Sequence, residues 1–386
     1  MLSCRVKIAI ITLLTVMILY ILYKYFTRTE NLAQPIIGWN RNQCPHIIGQ
    51  TYENIFKKYG IKQDEKNCEL YLPCSYDNPE NEIQQFSLVK NAKYFIINNC
   101  DLIVAKDELW KGVVDHYGID KAKTMLPCSY VLNSSEDLER FDREYDSNKL
   151  YIIKKNIQRQ QGLKITNDRN EILNGSNEKY VIVQDLLQNP YIIGGRKTNM
   201  RFYVLVICQN NKASVYVYND GFLYYTPKKF IKGSSDSDVN ITSGYVPRSV
   251  YETNPLSHED LRKYLDGQNR SLSNVERDIR NKGLQISKIY FERIYNLIKS
   301  VFSAFVGHFC KPNKLSENLT FQLFGVDVAV DNELNCTIME CNKGCDLNPK
   351  CPRDSVVKQN VVEDIFRLVE IINNKTNREN GFIKII

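Results

Sequence analysis

The chain has 386 residues, with 51 basic and 44 acidic side chains, a net charge of +7 and 43% hydrophobic residues. That length allows one large or two medium domains with real cores, and the composition is ordinary for a globular protein. Neither charge sign forms a long block, so a solvated mixed surface is expected rather than a nucleic-acid-binding polycation. Attraction to an anionic membrane surface or an acidic polypeptide tail is the alternative.

Residues 8–23 are uncharged and almost wholly apolar, flanked by Arg5, Lys7, Lys24 and Arg28. Counted over 6–26, the run reaches the roughly 20 residues that span a bilayer core. A cleaved signal peptide is the rival, but Tyr20, Tyr23, Tyr25 and Phe26 stand where a small-residue cleavage site belongs. The expectation is a retained single-pass membrane helix within residues 1–30. Its orientation stays open, because two basic residues flank each side. Residues 31–49, holding Pro35, Gly38, Pro45 and Gly49, read as a linker.

The twelve cysteines run from Cys4 to Cys351 without a CxxC pair, and the densest set, Cys336, Cys341, Cys345 and Cys351, lacks zinc-ribbon spacing and a nearby histidine. Buried free thiols are expected, with disulfides as the alternative in an oxidising lumen. Sequons at Asn133 and Asn318 are compatible with such a lumen.

Residues 50–145 alternate short helix and strand signals. Beyond Leu150 the strand signals strengthen: Tyr151-Ile152-Ile153 ends in Lys154 before a loop with Gly162, and Val181-Ile182-Val183 ends in Gln184-Asp185. Strands are predicted over 200–208 and 214–218, with Asn219-Asp220-Gly221 as a hairpin turn into Phe222-Leu223-Tyr224. Residues 228–285 read as a long polar loop with helical patches. The spacing of Ile286, Tyr290, Ile294, Leu297, Val301 and Phe305 predicts a packed helix over 286–309.

A last hairpin is predicted over 321–342. A four-residue turn from Asp331 to Leu334 sets Val330 opposite Asn335, Asp327 opposite Ile338 and Gly325 opposite Glu340. Strand alternation then gathers Asp327, Glu340 and Asn342 on one face, with Phe324, Val326, Val328, Val330 and Met339 on the buried one. Gly325 leaves the polar face bare where a ligand could approach.

Two carboxylates and an amide offer only hard oxygen ligands, the set that suits magnesium with nucleotide phosphates. A solvated sheet face without an ion is the alternative. Lys197, Asn199 and Arg201 alternate along one strand and share a face. Lysine suits a phosphate, and arginine suits a carboxylate or a developing oxyanion. Lys154, at a strand end before a flexible loop, is placed as a second phosphate contact.

In that order, the stretches Tyr151–Lys154 with Gln161-Gly162, Val181 to Lys197 with Arg201 to Val206, Val215 to Gly221, Phe324-Gly325-Val326-Asp327 and Met339-Glu340-Cys341-Asn342 resemble the tubulin-tyrosine-ligase-like family, across roughly residues 100–372. The resemblance implies an α+β ATP-grasp fold, with mixed and antiparallel sheets, flanking helices and the nucleotide between two lobes. Residues 50–145 would form the N-terminal and central part and 146–386 the ATP-grasp catalytic region.

By the same resemblance, adenine meets the chain at Gln184, Asp185, Leu186 and Leu187. The phosphates meet Lys154, Lys197 and the Gln161-Gly162 loop, Asn199 lies near the nucleotide, and Lys106 is a looser upstream match. Thr242 lies near the ribose, Asp327, Glu340 and Asn342 hold magnesium, and Arg201 faces the acyl-phosphate or tetrahedral oxygen. Family members use ATP to join a free amino acid (glutamate, glycine or tyrosine) to a protein carboxylate, a tubulin tail among the acceptors. The chain departs from the family's pattern at Asn199, where aspartate is usual, at Lys164, where a second glycine is usual, at Ser243, and at Lys343-Gly344-Cys345. Two further readings follow: a membrane-anchored nucleotide-binding pseudoenzyme acting as an interaction module, and a lumenal ligase with a non-tubulin acceptor.

Overall fold

The strand Leu319–Val330 is buried along all but its first residue, and its near-continuous apolar run is what a strand covered on both faces requires. In the computed structural model it lies inside a mixed sheet ordered Phe382–Lys384, Lys212–Tyr225, Arg196–Gln209, Leu319–Val330, Lys93–Tyr94, Cys68–Tyr71, Gly38–Asn40, Lys62–Gln63, with Cys336–Lys343 also paired to it. The pairing is antiparallel up to Leu319–Val330 and parallel beyond it. The structure describes residues 38–386, other than 42–43, 45, 67, 75–77, 158–161, 244–245 and 374–377, together with Met17 and Tyr20.

Helix Ile286–Ser303 covers one face of this sheet, where Phe291 packs on Phe202 and Phe302 on Phe324. Helix Pro352–Leu368 covers the other, where Lys358 lies over Phe222 and Asp364 accepts from Tyr218. A second, antiparallel sheet has the order Ser129–Val131, Ile182–Asp185, Tyr151–Lys154, Leu163–Thr166. One of its faces, with Tyr130, Tyr151, Ile153 and Val183, packs on Phe141 and Ile172 in a small core of its own. The other carries Val131 and Ile182 into the main core, so this face turns toward the large sheet.

Several expectations need correcting. The single-pass anchor is not supported: among the described residues no helix is long and apolar enough to cross a membrane. Residues 8–23 lie outside the described residues except for Met17 and Tyr20. Hydropathy, length and flanking residues do not by themselves show that a helix forms. The stretch read as linker supplies the strand Gly38–Asn40.

Asn219-Asp220-Gly221 is no hairpin turn. Lys212–Tyr225 is one strand, and the reversal is made at Asn210 and Asn211, both left-handed (φ 53° and 58°). The pairing with Arg196–Gln209 jumps from Phe202↔Gly221 to Val204↔Val217, so the triplet borders a bulge. A side chain at 221 would collide with the Arg201 carbonyl and the His258 ring.

The last hairpin is also shifted. The Asp331 carboxylate accepts from the N–H groups of Glu333 and Asn335, drawing Asn335 into the turn, and Leu334 adopts a left-handed φ of 62°. Val330 therefore faces Cys336, and the pairing skips Met339 so that Asp327 faces Glu340 and Gly325 faces Asn342. Met339 is only half buried, and Ile338 and Cys341 take the core face.

Among the described residues two disulfides form, Cys44–Cys74 and Cys208–Cys310, while Cys68, Cys100, Cys128, Cys336, Cys341, Cys345 and Cys351 keep free thiols. Asn318 is buried and donates to the carbonyls of Val89 and Ala92, which removes it as a glycan acceptor in the folded protein. Asn133 is exposed.

Candidate functional site

Strand alternation, read from the observed register, builds a cleft between the two sheets. On the small sheet Ser129 and Ile152 flank Gln184, and Lys154 pairs with Ile182, so all share the face turned toward the large sheet. On the large sheet Arg201 pairs with Asp327, and Asp327 with Glu340. Lys197, Asn199 and Arg201 lie two residues apart along one strand, as Glu340 and Asn342 do along another.

Lys154 and Lys197 are 5% and 3% exposed, and among the described residues no carboxylate or hydrogen-bond acceptor meets either ammonium. Burial pushes both amines down to about 8, with Lys197 lowered further by the charge on Lys154. Unpaired buried ammonium groups are costly unless an anion joins them. Lys106, at the start of helix Lys106–Tyr117, completes the cationic group; its Nζ donates to the Ile157 carbonyl at 3.2 Å.

Glu340 faces Lys106 and Lys154. Burial alone would raise its carboxyl, but Lys106 and Lys154, helped by the hydrogen bond from Asn342 at 3.1 Å, outweigh burial and hold it below the usual range. Asp327 is pushed up by burial, against the pull of Arg201. The Arg201 guanidinium grips it twice, Nε to Oδ1 at 2.6 Å and Nη2 to Oδ2 at 3.0 Å. Arg201 also lies 5.3 Å from the Tyr224 ring. The gap at Gly325 is not left for a ligand: a Cβ there would sit 3.0 Å from Arg201 Nη1 and 3.0 Å from Cys345 Sγ. Glycine is needed so that the arginine can lie across the strand.

A magnesium ion fits this donor set. Glu340, Asn342 and Asp327 supply only oxygen ligands from one face, and each Asp327 oxygen keeps a lone pair beyond its bond to Arg201. Among the described residues no group of three or more His, Cys, Asp or Glu side chains forms a metal cluster, so the set is two carboxylates and an amide.

At the other end of the cleft the Asp185 and Leu186 N–H groups are taken by the carbonyls of Cys128 and Leu150, while among the described residues no acceptor meets the Leu187 N–H. The Asp185 carboxylate lies 3.9 Å from Lys149. Ser243 bridges to Tyr225, which pairs with Thr198, so Thr242 lies at the Lys197 end of the sheet. Gly162 is left-handed (φ 67°) beside Lys155, and Gln161 lies outside the described residues. Lys164 pairs with Ile153 and bonds Glu171, on the face turned away from the cleft. Its departure from the family pattern does not touch the site.

Sequence reasoning missed Ser129, whose hydroxyl accepts from Gln184 Nε2 at 2.8 Å. Nothing in its local sequence marks it, because its partner is 55 residues away.

Two sheets enclosing inward-facing lysines opposite an oxygen-ligand hairpin fit an ATP-grasp architecture. The tubulin-tyrosine ligase family model matches residues 90–379, and the chain belongs to that family. It is 25% identical over 281 residues to a probable beta-tubulin polyglutamylase of Tetrahymena thermophila, covering 69% of this chain and 23% of that protein. It is likewise 25% identical to the mouse tubulin polyglutamylase TTLL5, covering 70% of this chain and 20% of that one. To the human tubulin polyglutamylase TTLL6 it is 26% identical over 241 residues, covering 61% and 26%. The chain thus spans about a fifth to a quarter of the length of these relatives.

Proposed function

We propose that the chain is an ATP-dependent ligase that joins an amino acid to a protein carboxylate. The observation that carries this reading is the pair of buried lysines, Lys154 and Lys197, neither in an ion pair among the described residues, with Lys154 facing Glu340 from the opposite sheet. Such a pocket suits a polyphosphate accompanied by a divalent cation. Bound ATP would pass its γ-phosphoryl to the acceptor carboxylate with ADP as leaving group, magnesium would neutralise the phosphate charge, and the amino acid's amine would attack the acyl carbon to form the amide and expel phosphate.

The chain's residues divide the work. Lys154, Lys197 and Lys106 neutralise phosphate charge, and Glu340, Asn342 and Asp327 hold the cation. Arg201 offers its guanidinium to the tetrahedral oxyanion. Gln184 to Leu187 receive the base, with Asn199 and Thr242 at the Lys197 end. The relatives' names favour glutamate as the amino acid and a tubulin tail as the acceptor.

The test is incubation of the full chain with ATP, magnesium, tubulin and labelled glutamate, glycine or tyrosine. Acceptor-dependent label transfer with ADP release is expected. ATP binding without release on any acceptor would overturn ligase activity and favour a second reading, nucleotide binding without turnover. That reading draws on the Arg201–Asp327 pair, which occupies both residues, and on Asn199. Under it, Glu340→Gln leaves the cellular role intact.

A further inference from the structure

We propose that Ser129 sets which purine the cleft accepts by fixing the direction of the Gln184 amide. The proposal rests on the nucleotide-binding reading above. The Ser129 hydroxyl has one hydrogen, and it points to the Pro127 carbonyl, 2.6 Å away, which can only accept. The hydroxyl must therefore accept from its other neighbour, so the Gln184 side chain, 2.8 Å away, turns its NH2 toward Ser129. An amide orientation that is otherwise a matter of assignment is here forced by the serine.

The consequence is an acceptor without a donor. Gln184 is 5% exposed, and its Oε1 is buried with no hydrogen-bond partner. Leaving a buried carbonyl unpaired costs free energy, and a ligand that donates to it recovers that cost. Gln184 sits on the face that bears Lys154 and adjoins the Asp185–Leu187 segment at the base end of the cleft. A base with an amine on C6, as in adenine, meets Oε1 with a donor, whereas guanine bears its amine on C2 and a carbonyl on C6. Guanine would present a carbonyl to a carbonyl.

Ser129 is held firmly enough to impose this direction. It is fully buried, and the Arg140 guanidinium donates to its carbonyl while stacking 4.0 Å from the neighbouring Tyr130 ring. The Asp137 carboxylate binds both Arg140 and the Val131 N–H. Ser129 is thus a positioning residue acting through Gln184.

The test is competitive displacement of a fluorescent ATP analogue from the full chain by ATP and by GTP, with magnesium. Wild type should prefer ATP by about tenfold or more. In Ser129→Ala the amide is free to turn, and the preference should fall to within about threefold. Ser129→Thr, which keeps the hydroxyl, should retain the wild-type ratio. Should the alanine variant not fold, Ser129→Cys, whose thiol is a poor acceptor, reports the same ratio. Equal weakening of both nucleotides with an unchanged ratio would overturn the proposal and leave nucleotide binding standing. No displacement by any nucleotide in wild type would overturn the nucleotide reading itself.

Discussion

Arg201 and Asp327 are cross-strand neighbours joined by two hydrogen bonds of 2.6 and 3.0 Å, and both side chains are little exposed. The guanidinium also lies 5.3 Å from the Tyr224 ring. Breaking the pair from the acid side leaves a buried guanidinium uncompensated. Asp327→Ala should therefore lose about 3 kcal/mol of stability, while an Arg201→Met, Asp327→Leu double variant should lose much less. Urea denaturation of the two variants measures the difference.

Lys154 and Lys197 give the apo protein a distinctive pH response. Their folded values, near 8, lie below the ordinary 10.5, so the unfolded chain binds more protons between those limits. Stability should rise as pH climbs from about 8 toward 10.5 and should carry the full penalty below 8. Lys154→Met or Lys197→Met should be more stable than wild type near pH 7 and should flatten that rise. Thermal unfolding across the pH range checks this, and nucleotide affinity should fall as pH passes upward through 8, as the ammonium charges are lost.

Glu340 is held ionised by Lys106 and Lys154. Glu340→Gln keeps an oxygen to accept from Asn342 and should fold, with some loss of stability from the charge removed beside Lys154, and should lose magnesium-dependent nucleotide affinity by about tenfold or more. A titration of nucleotide binding against magnesium reads this directly: wild type gains affinity with the metal and the variant does not.

The Cys208–Cys310 disulfide closes a separation of 102 residues and ties the end of a central strand to the segment after helix Val306–Phe309. In the chain-entropy account, a loop of that length is worth about 5 kcal/mol. Reductant, or a Cys208→Ser, Cys310→Ser double variant, should lower the melting temperature by several degrees. Cys336→Ser and Cys351→Ser, at free thiols, should make that temperature no more sensitive to reductant.

The sequence alone carried what depends on near neighbours. Strand alternation put Glu340 beside Asn342 and Lys197 in line with Arg201, because side-chain direction along a strand has period 2 wherever the strand lies. The ordered motifs from Tyr151 to Asn342 carried the family. Only the tertiary structure decided what depends on distant partners. The hairpin register turned on the Asp331 carboxylate and the skipped Met339, and the space at Gly325 on Arg201 crossing from another strand. Which cysteines pair, and which way the Gln184 amide points, were fixed by residues 30, 102 and 55 positions away. Alternation is set by the backbone's own geometry, whereas register and pairing are set by packing and hydrogen bonds that exist only once separate segments meet.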